Sequence, residues 1–136
     1  MKRLNEIFVV SYMYRILFIL IFTACMNAQP NLSYSDGSAN RYLISPTQVR
    51  YIPVKPEESS TGFYSGGEPA TAAITAQQFA EIKELFEHAM AQADQQMADR
   101  IKTSGLLEIE GKQVILKPEA PLKARIESHL NKLLGR

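Results

Sequence analysis

The residues of this chain that could do chemistry are few, and most lack the spacing chemistry needs. His88 and His129 are the only histidines. They form no H-x₃-H or H-E-x-x-H pattern, so no metal site is expected from them. His88 falls nine positions after Phe79, about 180° round a helix, which places it on the solvated face. His129 borders the stripe Leu122, Ile126, Leu133. No G-x-S-x-G or S-x-x-K occurs; Ser65 sits in Gly62-Phe63-Tyr64-Ser65-Gly66, which lacks the elbow spacing of a serine nucleophile. Glu57, Glu58 and Glu68 share a loop and could in principle hold a calcium ion, but loops favour solvated acids, which is the preferred reading. Gly66-Gly67 has no lysine or hydroxyl residue after it to complete a phosphate cradle. Asp36-Gly37-Ser38-Ala39-Asn40 reads as a turn, because it lacks the D-x-D-x-D-G spacing and the downstream bidentate Glu of a calcium loop. No catalytic residue, metal or cofactor is expected.

What remains is a contact surface. Phe63 and Tyr64 lie between Gly62 and Gly66-Gly67, with serines around them and Glu68 beyond. Rigid aromatics on an adaptable Gly/Ser backbone are the mix found in binding loops. Phe63, Tyr64, Gly66, Gly67 and Glu68 are therefore the candidate binding residues. The competing reading has Phe63 and Tyr64 folding back to cap the core while the glycines merely turn the chain.

The elements that must position this loop are legible in outline. Leu32–Tyr34 and Arg41–Ile44 flank a turn-rich stretch and predict a hairpin. Residues 47–54 alternate Val49 and Tyr51 against Arg50 and Ile52, and Pro46 and Pro53 mark them as an edge strand. Lys55 to Ala73 carries no pattern. A loop of that length inside a domain is usually functional or disordered. Thr75 and Gln78 form a capping box, with Ile74 and Phe79 as its hydrophobic staple. The stripe Phe79, Ile82, Phe86, Ala89, Met90, Ala93, Met97 predicts a helix from about Ala76 into the mid-90s. Residues 106–117 predict a second hairpin with a type II′ turn at Gly111-Lys112, pairing Ile109 with Val114 and Leu107 with Leu116. Pro121 opens a last helix with the stripe Leu122, Ile126, Leu130, Leu133. The expected class is α+β: a small antiparallel sheet of two hairpins and an edge strand, packed by two helices over residues 32–136.

The N-terminus reads as an address. Arg15 precedes the apolar run Ile16–Phe22, and Thr23-Ala24 lead into Cys25, the single cysteine. A basic start, a short apolar core and small exit residues make up a secretory signal. The run is shorter than the roughly 20 residues a span needs. Extending it back to Ile7 buries Arg15, at about 2.5–3.5 kcal/mol. Met13-Tyr14-Arg15 offers a second start with the same exit. Phe22-Thr23-Ala24-Cys25 resembles the lipobox of bacterial lipoproteins, although leucine is usual where Phe22 stands. The resemblance implies cleavage after residue 24, lipidation (palmitate) of Cys25, and a tether over 25–31 that reaches at most ~20 Å beyond the cysteine. Plain secretion and a retained anchor are the alternatives.

Charge narrows the partners. Three of the fifteen basic residues and one of the fourteen acidic ones precede Cys25, leaving 12 against 13. Without a basic excess, nucleic acid is excluded as a partner. With one cysteine there is no internal disulfide, so packing has to hold the fold. The expectation is an exported, membrane-anchored cell-envelope module, periplasmic or at the surface, with a binding or structural role. It touches the membrane through Cys25 and a protein partner through the 55–73 loop. An exported inhibitor of an envelope hydrolase, presenting the same loop, is the second expectation.

Overall fold

The computed structural model describes residues 32–136, so the expected signal, Cys25 and the tether lie outside the described residues. The first four strands are β1 (Leu32–Ser35), β2 (Arg41–Ser45), β3 (Gln48–Ile52) and β4 (Ala70–Ala73). Helix α1 (Ala76–Ala91), β5 (Gln96–Met97), β6 (Gly105–Ile109), β7 (Lys112–Leu116) and α2 (Pro121–Leu133) follow. One seven-stranded antiparallel sheet has the order β4-β3-β2-β1-β6-β7-β5. Both helices cover the same face, which makes the protein α+β as expected.

Strand alternation explains the covered face. Register sets Ile109, Leu32, Ile44 and Val49 side by side in one row across β6, β1, β2 and β3. Two positions along each strand, Leu107, Tyr34, Tyr42 and Tyr51 form a second row. All eight are buried, and they close against Ile82, Phe86 and Ala89 of α1 and Leu122, Ile126 and Leu130 of α2. The capping box forms as read: Gln78 N donates to Thr75 Oγ1 at 3.2 Å, and Thr75 N to Gln78 Oε1 at 2.8 Å. At its far end, α2 stops because Gly135 turns left-handed (φ 69°). Its N–H reaches the Lys132 carbonyl and that of Arg136 the Asn131 carbonyl, which takes up two orphan carbonyls of the last turn.

Several expectations need correcting. β3 is not an edge strand, because Ala70–Ala73 pairs along its other side. The structureless stretch therefore ends at Pro69, and the edge is β4. Helix α1 stops at Ala91; a 3-10 turn at Ala93–Gln95 leads into β5 instead of a continued helix. The second hairpin turns at Glu110-Gly111, pairing Ile109 with Lys112 and Leu107 with Val114. Both turn residues have positive φ (48° and 79°), as a type I′ turn requires, and that turn suits the strand twist. Glycine therefore fills the second central position, not the first.

Candidate functional site

The two ends of the sheet are built differently. At one end, chain reversals take two residues each, Pro46-Thr47 and Glu110-Gly111, and Leu32 enters β1 there. At the other end lie the 36–40 turn, the long segment after β3 and the approach to β6. This loop end carries the candidate site.

Its construction starts at Asp36. The Asp36 carboxylate accepts from Ser38 N (2.9 Å) and Asn40 N (3.0 Å), which folds the turn on itself. Its other oxygen accepts from Asn40 Nδ2 at 2.9 Å. Asn40 is 4% exposed, and both its amide nitrogen and its amide oxygen find partners. The second Nδ2 hydrogen goes to Tyr64 Oη at 3.0 Å, and Oδ1 accepts from Val54 N at 3.0 Å. A buried amide must find such partners or lose the desolvation energy of each group.

Val54 and Gly66 then close the neck of the loop, Gly66 N donating to Val54 O at 2.9 Å. The Gly66 carbonyl accepts from Tyr51 Oη at 2.7 Å. A Cβ on Gly66 would fall 2.0 Å from Asn40 Oδ1, so only glycine fits. Gly67 carries the chain out with φ 89°. Residues 55–65 thus form a compact surface loop with adjoining ends. Within it a 3-10 turn at Pro56–Glu58 is tied by Lys55 N donating to Glu58 Oε2 at 3.1 Å.

Between this loop and the 36–40 turn opens a groove of about 790 Å³. Ile52, Pro53 and Val54 supply apolar lining, and Ser60, Thr61, Phe63 and Tyr64 line it from the loop. Arg41 and Lys102 add two cations, and Glu58 one acid. Phe63 is 90% exposed and Tyr64 38%. Phe63 therefore does not cap the core, and Tyr64 is held by its hydroxyl at the groove's edge. Of the five candidate residues, the structure brings Phe63 and Tyr64 to the groove. Gly66 and Gly67 serve the neck, and Glu68 lies exposed past it. The sequence reading missed Asn40, Arg41 and Lys102. Asn40 looked like one more turn residue, and nothing local to Arg41 or Lys102 marks a site.

Other clusters are built for structure. Tyr34 Oη donates to Glu127 Oε1 at 2.7 Å, and Lys123 pairs with Glu127 at 3.1 Å. Burial, and then the Glu127 carboxylate, push the Tyr34 hydroxyl far above its ordinary pKa, so it stays protonated. His88 and His129 share a crevice with Glu81, Glu84 and Arg125. His129 Nε2 lies 4.0 Å from Glu81 Oε2 without a hydrogen bond. Neither histidine hydrogen-bonds a hydroxyl among the described residues, and no group of three His, Cys, Asp or Glu among them could hold a metal ion. The chain matches no protein-family model, no curated protein and no solved structure.

Proposed function

We propose that this protein is an exported, lipid-anchored module of the bacterial cell envelope that binds a partner in the groove beneath Phe63. The observation that carries the reading is the exposure of Phe63. A phenyl ring left 90% in water beside a groove costs solvation and contributes nothing to the core. The same ring supplies contact area once a ligand covers it. A volume of about 790 Å³ is in the range of ordinary ligand sites.

The placement of the anchor supports the same reading. Lipid on Cys25 would hold Leu32 within ~20 Å of the bilayer. Leu32 is at the tight-turn end, so the groove would open away from the membrane, towards soluble or surface partners. No helix of the described residues is long and apolar enough to cross a membrane. The inhibitor reading fits less well, because an inhibitory loop has to enter another protein's cleft and this one forms the rim of its own.

Phe63→Ala should lower capture of the native partner from envelope extract at least ~tenfold. Its melting temperature should stay within about 2 °C of the parent, because surface substitutions barely move stability. Capture that survives the substitution would remove the groove reading. The anchor is tested separately: labelled palmitate should enter the parent and not Cys25→Ala.

A further inference from the structure

The polar groups of the groove say more about what it takes. Arg41 and Lys102 both line it, and neither has a salt bridge or side-chain hydrogen-bond partner among the described residues. Glu58 is the acid on the lining, and one of its oxygens is already engaged by the Lys55 N–H. Two unengaged cations beside an apolar floor make a surface complementary to an anion with an apolar neighbour.

The shape separates possible anions. An acyl chain needs an apolar tube that hides it from water on all sides. Here the apolar lining is Ala39, Ile52, Pro53, Val54 and the two aromatic rings, and serine and threonine hydroxyls interrupt it. An extended peptide offers what such a lining can use: amides for the hydroxyls, one apolar side chain for the floor and one carboxylate for the cations. Resting on the reading of the groove as the binding site, we infer that its occupant is an acidic peptide segment with a carboxylate beside an apolar residue. Arg41 and Lys102 hold the carboxylate, and Phe63 covers the apolar side chain.

Two pools of hexapeptides, capped at both ends and carrying a neutral fluorophore, test this by anisotropy with the full-length protein in mild detergent. One pool combines glutamate with leucine and phenylalanine; the other has glutamine in place of glutamate. The glutamate pool should bind at least ~tenfold tighter, with affinity falling as salt rises. The double variant Arg41→Gln, Lys102→Gln should erase that difference without moving the melting temperature, because both side chains are exposed. Equal binding of the two pools would overturn the acidic preference and leave the groove standing as a site. Displacement of the peptides by free phenylpropionate at matching concentration would overturn the peptide in favour of a small acid. No binding by either pool would overturn the inference; whether Phe63→Ala still captures the native partner then decides the groove reading on its own.

Discussion

Two rows of side chains cross the covered face of one sheet, two residues apart along each strand, and they end differently. Ile109, Leu32, Ile44 and Val49 are aliphatic and finish against the helices. Leu107, Tyr34, Tyr42 and Tyr51 bury equally well, but three of them carry hydroxyls past the edge of the core. Tyr34 reaches Glu127 and Tyr42 reaches Asn131 at 3.1 Å, both on α2, while Tyr51 reaches the Gly66 carbonyl. The aliphatic row lies beside the two-residue turns and the tyrosine row beside the long loops. Two-residue turns in a hairpin satisfy most of their backbone through the ladder they close. An irregular loop cannot, so its carbonyls and amides need side chains to meet them. One end of the core is held by area, the other by area and directed bonds.

The most damaging way to break that contrast is Asn40→Ala. It removes three side-chain hydrogen bonds and strands the Val54 N–H and part of the Asp36 carboxylate in a buried place. A loss of about 3 kcal/mol in chemical denaturation is expected. A loss below about 0.5 kcal/mol would mean that area alone holds the loop end.

Alkaline titration probes the tyrosine row without mutation. Burial pushes the Tyr42 hydroxyl up to about 12, and Tyr34 is raised further. In the unfolded chain both ionise near pH 10. The folded state therefore holds these protons more tightly, and the stability they contribute is whole below about pH 10. It falls as pH rises from about 10 through 12. Melting temperature followed from pH 8 to 12 should drop across that window, and Tyr42→Phe should shallow the drop. A flat profile would deny the row its part in stability.

The mildest test falls on the other end. Gly111→Ala puts a side chain at φ 79° with open space around it. The cost should be about 1 kcal/mol from backbone strain alone, with ligand binding at the far groove unchanged. An effect as large as that of Asn40→Ala would erase the distinction between the ends.

How much of this was legible depends on whether the determining forces are local. Thr75 with Gln78, and Pro121 with Gly135, act within a few residues, and both helices start where the sequence says. The alternation of Val49 and Tyr51 shows which side chains face the core but not how many neighbours the strand has. Edge and interior look alike at that level. Ala70–Ala73 hid because alanine is a poor strand former and Pro69 stands before it; its pairing comes from β3. In the site, Phe63 and Tyr64 were visible through their glycine and serine company. Asn40, Arg41 and Lys102 come from separate stretches that only the finished sheet brings to one groove.

The position of β1 has a consequence for how the molecule assembles. β1 is the first described strand, yet it lies mid-sheet between β2 and β6. As the chain emerges, β1 to β3 can zip through neighbouring hairpins, which close quickly, and β4 joins β3 across the longer 53–69 segment. The other edge of β1 stays unpaired until β6 arrives, after the whole of α1 has been made. Closing so long a loop is slow, and it leaves an apolar strand edge exposed meanwhile. The last helix then supplies Glu127 and Asn131 to tyrosines placed on the first two strands. Completion of the sheet therefore comes late, and a truncation that removes α2 should leave a sticky half-sheet, not a smaller stable domain.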